Sequence, residues 1–133
     1  MGLIPMSSEK KLTQANFISN KELSGKIKSI EINYRLATIK ILLNDGLLIF
    51  IRYNNYLEYS YSVIFSNSKL DRIRFDNFDD KWIVKTRPHH FHPKDDKNGY
   101  SSMMVGKPRE DLPILFNLLK NPKIRKSYFR FNI

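Results

Sequence analysis

The stretch RLATIKILLNDGLLIFIRY, residues 35–53, constrains the fold more than any other part of the chain. Two runs rich in aliphatic and β-branched residues flank Asn44-Asp45-Gly46, and Asp-Gly is a preferred pair for the tight turn of a β-hairpin. The pattern continues on both sides. Upstream, Ile27, Ile30, Ile32 and Tyr34 stand among polar neighbours. Downstream, Tyr59, Tyr61, Val63 and Phe65 alternate with Ser60, Ser62 and Ile64, and Ser66-Asn67-Ser68 supplies the next turn. Residues 26–75 therefore predict an antiparallel meander of four or five strands.

After a polar break, DNFDDKW, the segment WIVKTR reads as one more short strand leading into the histidines. Residues 94–107 have the Gly, Asn, Asp and Ser content of a mobile loop. PREDLPILFNLLKNP then places Leu112, Leu115, Phe116 and Leu119 at helical spacing. Pro108 marks the start, Glu110 and Asp111 sit in the first turn, and Lys120 with Pro122 marks the stop. Pro113 fits a first turn, where its missing N–H is not needed. The apolar stripe of this helix is read as packing on the sheet. The expected fold is α+β: an antiparallel meander of five to six strands packed by a C-terminal α-helix, with a short N-terminal helix before Gly25. A chain of 133 residues is the size of one domain with one core. Residues 1–22 read as a polar, partly flexible segment and 121–133 as a basic arm or last strand.

Charge narrows the function. Lys and Arg number 23 against 13 acids, so the net charge is +10, a field that concentrates polyanions around the protein. Nucleic acid is the commonest such partner; an acidic protein or membrane surface would answer the same field. No run approaches the ~20 apolar residues that span a bilayer, and the start has no signal-peptide h-region. The absence of cysteine excludes disulfides, thiolate metal sites and a cysteine nucleophile. A cytoplasmic protein is the simplest expectation. P-loop, dinucleotide-fingerprint, HExxH and GxSxG motifs are all missing.

KTRPHHFHPKDD, residues 85–96, holds all three histidines of the chain. On an extended segment His90 and His92 share one side and His89 takes the other. Pro88 and Pro93 favour an edge or turn over a central strand. Three readings follow. The pair at i and i+2 can chelate a metal with a third ligand such as Asp76, Asp95 or Asp96. The cluster can be a surface feature without a role. Or neighbouring imidazoles can divide the work of base and acid on a phosphodiester. In that last reading Lys85, Arg87 and Lys94 steady the phosphorane, and Tyr100 is an extra donor. No metal is required by it, although one bound by His89, His90 and His92 is compatible with the composition.

By strand parity Arg72, Arg74 and Asp76 share a face, as phosphate ligands and a histidine orienter or as an ordinary solvated strand end. Tyr53, Tyr56, Tyr59, Tyr61, Phe65 and Phe75 lie among Arg52, Arg72 and Arg74, which is a base-stacking pattern or simply a strand core. Lys123, Arg125 and Lys126 lead a basic tail read as an electrostatic contact for nucleic acid or for an acidic partner.

Taken in order, LNDGLLIFIRY, LEYSYSVIFSNSKLDRIRFDN and PHHFH followed by an apolar helix resemble the TumE family of toxin–antitoxin proteins, over residues 40–120. Asp76, Asn77, His89, His90 and His92 match its motif, with Arg74 beside them. The resemblance implies a small cytoplasmic toxin neutralised by a cognate antitoxin, a small helix-turn-helix DNA-binding protein encoded beside it. The chemistry of the residues, separately, predicts a metal-independent ribonuclease. Its catalytic candidates are His90, His92, His89 and Asp76. RNA contacts are expected from Arg72, Arg74, Lys85, Arg87, Lys94 and the basic tail. The alternative is a non-enzymatic module binding nucleic acid or protein through a basic sheet face. A homodimer is compatible with either.

Overall fold

The Asp45-Gly46 turn joins β2 (Thr38–Leu43) to β3 (Leu48–Tyr53), with Gly46 at φ 93°, a left-handed backbone that glycine adopts without a Cβ clash. The computed structural model describes residues 6–78 and 81–122. In it the meander runs β1 (Ile27–Asn33), β2, β3, β4 (Tyr59–Ile64), β5 (Arg72–Asp76), β6 (His90–His92) and β7 (Tyr100–Ser101). All seven strands pair antiparallel in sequence order, so every strand neighbours the one that precedes it in the chain. The five strands of 26–75 and the α+β class agree with the sequence expectation. The sheet is longer than the expected five to six strands, because Tyr100 and Ser101 pair with Phe91 and His90.

One face of the sheet is the core. Ile39 and Ile41 of β2, Ile49 and Ile51 of β3, Tyr61 and Val63 of β4, Ile73 and Phe75 of β5 and Phe91 of β6 are fully buried on it. Each alternates with a residue on the opposite face, the period-two signature of a half-covered antiparallel sheet. Two helices cover the core face: α1 (Ser8–Glu22) and α2 (Pro108–Leu119). Leu112, Leu115, Phe116 and Leu119 of α2 enter the core as their spacing predicts. From α1 only Leu12 and Ala15 do so among the apolar residues, one turn apart on a largely polar helix, joined by Leu23 just beyond it. Ser7 caps α1 by accepting from the Lys10 amide, and Ser8 Oγ donates to the Tyr53 carbonyl at 2.7 Å, pinning the helix to the end of β3.

Four local expectations are corrected. The N-terminal helix is fifteen residues long and docked, not a short element in a flexible segment. WIVKTR is not a strand: Ile83 is 90% exposed, and Val84 and Thr86 carbonyls close turns onto the amides of Arg87 and His89. Residues 94–107 include β7 and the buried Lys94, Ser102 and Met104, so the segment is anchored to the body along its length. Pro113 falls one turn deeper in α2 than expected, where it removes the N–H that would have met the Arg109 carbonyl. Residues 123–133, with the predicted contacts Lys123, Arg125 and Lys126, lie outside the described residues. Among the described residues no helix is long and apolar enough to cross a membrane.

Candidate active site on the open sheet face

The face turned away from the helices carries two cross-strand rows. One runs Phe50, Ser62, Arg74, His92 across β3 to β6; the next runs Arg52, Ser60, Asp76, His90. Directly opposed residues on one face have Cβ atoms about 5 Å apart, so the pairing register alone brings Asp76 against His90 and Arg74 against His92. The serines of β4 are small and leave a depression between Phe50 and the arginines. It widens into a groove of about 500 Å³ lined by Phe50, Ser62, Arg72, Arg74, Trp82 and Lys97 around the Asp76–His90–His92 floor.

Asp76 and His90 are each 1% exposed. His90 Nε2 lies 2.5 Å from Asp76 Oδ1, and Arg74 Nε lies 2.5 Å from Asp76 Oδ2. Both carboxylate oxygens of Asp76 and Nε2 of His90 are buried without an aligned hydrogen bond. Arg74 and Asp76 form an ion pair, and the His90 contact becomes one when its ring carries protons on both nitrogens. The other ring nitrogens are held by backbone: His90 Nδ1 is 3.1 Å from the Pro88 carbonyl, and His92 Nδ1 is 3.1 Å from the Asn98 carbonyl. A carbonyl oxygen can only accept, so Nδ1 carries a proton in each ring and Nε2 is the atom turned to Asp76. Burial, and after it the neighbouring Arg74 charge, pulls the His92 pKa below the usual imidazole value.

Trp82 closes one side. Its indole stands edge-on to His92, with ring centroids 5.7 Å apart, and 6.4 Å from His90. It fits there because residue 99 is glycine: a Cβ at that position would lie 2.7 Å from Trp82 Cγ.

The structure sorts the predicted residues. Asp76, His90, His92, Arg72 and Arg74 come together in the groove. His89 does not. It faces the other side as strand parity requires, with Nδ1 2.9 Å from the Tyr59 hydroxyl, and lines a separate cavity of about 610 Å³ with Lys11, Lys107 and Arg109. Lys85 and Arg87 are exposed on the turn before β6 and do not line the groove. Lys94 is spent elsewhere: it is buried, paired with Asp71 at 3.0 Å and seated over the Phe65 ring. Tyr100 directs its hydroxyl to Asp96. Asn77 braces the end of β4, accepting from the Tyr59 amide and donating to the Leu57 carbonyl. Of the aromatics read as base-stacking candidates, Tyr53, Tyr59, Tyr61 and Phe75 turn inward as core residues, Phe65 lies under Lys94, and Tyr56 is exposed. Phe50 and Trp82 are aromatic residues that line the groove. Parity could have found Phe50, which is out of phase with buried Ile49 and Ile51; nothing local marks Trp82.

A family model described as "Toxin TumE" matches residues 10–121. No curated protein and no solved structure matches the chain. The family match takes in α1 and β1, which the motif-level resemblance over 40–120 left out. Since it runs from the first turn of α1 past the end of α2, the chain belongs to the TumE family of toxins, the toxin half of a toxin–antitoxin pair with a cognate antitoxin as its partner.

Proposed function

We propose that this toxin acts on RNA, cleaving it by metal-independent acid–base chemistry in the open-face groove. The observation that carries the reading is the buried Asp76 carboxylate held between His90 and the half-exposed Arg74 on the floor of a basic groove. His92, with a proton held on Nδ1 and an unpartnered, buried Nε2, is the base for the 2′-OH once RNA seating in the groove uncovers that nitrogen. His90, oriented by Asp76 and the Pro88 carbonyl, enters as the doubly protonated ring and gives its Nε2 proton to the leaving 5′ oxygen. His92 keeps the proton taken from the 2′-OH. Arg74 faces the phosphorane charge, and Arg72 and Lys97 hold flanking phosphates. Trp82 and Phe50 offer ring faces to unpaired bases, which a sheet surface can stack. The net charge of +10 draws the polyanion in. The antitoxin in this reading is a small helix-turn-helix protein encoded beside the toxin, and the toxin is cytoplasmic.

The test is incubation of the purified chain with single-stranded RNA in chelator. Cleavage ending in 2′,3′-cyclic phosphate, abolished in His90→Ala and His92→Ala and kept in His89→Ala, is the expected result. Intact RNA, or histidine variants as toxic in cells as the parent, would sink the proposal.

A further inference from the structure

Four buried polar atoms converge on the floor of the groove with no aligned hydrogen bond: both carboxylate oxygens of Asp76, Nε2 of His90 and Nε2 of His92. One ligand atom from each of the three residues lies within 4.8 Å of the others. The geometry points to a binding site for a divalent first-row transition-metal ion, held by Asp76, His90 and His92.

Buried polar groups in folded proteins nearly always find partners, so four convergent exceptions call for an explanation. The close contacts of Asp76 with His90 and Arg74 involve three of them. They leave out His92 Nε2, which has a lone pair, no donor in reach and no exposure. An ion satisfies all of them at once. Two imidazoles and one carboxylate are a borderline donor set that takes Zn²⁺, Fe²⁺, Co²⁺ or Ni²⁺ and leaves further coordination positions open to the groove.

The surroundings are built as a metal site's are. Ligating histidines characteristically donate the remaining ring N–H to a backbone carbonyl or carboxylate, which fixes the ring and the tautomer. His90 does this to Pro88 and His92 to Asn98, both at 3.1 Å. Ligating carboxylates are held in turn, and Arg74 sits on Oδ2 while Oδ1 faces the imidazoles. All three ligands stand on paired strands, where Asp76 is the register partner of His90 and His92 is two residues on.

Two features oppose the ion. Oδ1 and His90 Nε2 are 2.5 Å apart, whereas ligand atoms about 2.0–2.1 Å from a tetrahedral ion stand roughly 3.3 Å from one another, so the carboxylate must withdraw by under ~1 Å. Arg74, Arg72 and Lys97 place positive charge nearby. Both weaken binding without removing the donor set.

Ion binding is measured without RNA, so it stands or falls apart from the ribonuclease reading. The experiment takes the full, untagged chain, stripped with chelator and dialysed, and titrates it with Zn²⁺ by calorimetry and with Co²⁺ by fluorescence. Trp82 is the chain's single tryptophan and lies against His92, so Co²⁺ quenches its emission. Expected are one Zn²⁺ per chain, saturable quenching, and at least tenfold weaker binding of both ions in Asp76→Asn and His92→Ala, with circular dichroism to establish that each variant folds. His89→Ala separates this site from a generic histidine cluster, because His89 points to the other side of the sheet, and it binds as the parent does. The inference is overturned by folded parent protein that shows no saturable binding, by folded Asp76→Asn and His92→Ala chains that both bind as tightly as the parent, or by a His89→Ala chain that loses as much affinity as they do.

Discussion

Tyr61, in the middle of β4, donates its hydroxyl to Asp111 Oδ2 on the first turns of α2 at 2.7 Å, a buried polar bond across the sheet–helix interface. The same carboxylate accepts from the amides of Val105 and Gly106, at 2.9 and 2.7 Å, and Tyr53 hydrogen-bonds to the Tyr61 hydroxyl behind it. This network ties the segment after β7 to the helix and both to the sheet. Asp111→Asn places an NH₂ where one of the carboxylate oxygens accepts. If it replaces Oδ2, two donors are left facing a donor. A loss of about 2–4 kcal/mol is expected in urea unfolding.

The same group sets a pH dependence. Burial raises the Asp111 carboxyl above the ordinary carboxylate range, against the opposing pull of Tyr61 and the backbone amides. Between the unfolded and folded values the native chain holds a proton that the unfolded chain has released. This contribution to stability is therefore present at the acid end of the window and lost as pH rises through it. The stability gap between parent and Asp111→Asn should widen as pH falls from neutrality through that window. A gap that stays constant or narrows in paired melts would contradict the assignment.

Gly99→Ala is expected to push Trp82 off the histidines, since the new Cβ would meet the indole at 2.7 Å. Steady-state emission from this single tryptophan reports the displacement as a red shift, and the global stability should change by less than about 1 kcal/mol because Trp82 is only half-buried.

Arg72 and Lys97 lie at the groove margin and are assigned flanking phosphates. Replacing either by alanine should weaken RNA binding evenly across sequences and lower the slope of log K against log salt by roughly one. Lys94→Met should leave that slope unchanged, because Lys94 is already committed to Asp71 inside the fold. Filter binding at several salt concentrations distinguishes the two classes.

An ion on both Nε2 atoms takes away the nitrogens that proton transfer needs. Stoichiometric Zn²⁺ should therefore suppress cleavage by the stripped toxin, and chelator should restore it. Activity that instead rises with Zn²⁺ and vanishes in chelator would replace the metal-independent mechanism with one using a metal-activated water.

Much of this was legible in the residues. Period-two alternation and Asp45-Gly46 announced the meander, and parity alone put Arg72, Arg74 and Asp76 on one face and split His89 from His90 and His92. Parity is local, a matter of which side of a strand a residue takes. What failed needed tertiary information. Lys94 looks like any exposed cation until Asp71 and the Phe65 ring are seen around it. Tyr59 and Tyr61 fit a stacking surface and a core equally well, and only the side on which α1 and α2 settle decides between them. Trp82 lies in a segment without periodicity, and its place is set by Gly99, seventeen positions away.

The unbroken sequence order of the strands has a consequence for when this toxin becomes dangerous. Chains emerge from the ribosome N-terminus first, and a meander can add each strand to the one already formed. Asp76 and Arg74 are laid down early, but their partners His90 and His92 join only when β6 zips onto β5, after most of the polypeptide has been made. A truncated or stalled product ending before residue 90 carries at most β1 to β5 and lacks both His90 and His92. The sheet is thus assembled with the Asp76–His90–His92 cluster completed late, so on the proposed mechanism a product terminated before β6 lacks the groups needed for cleavage.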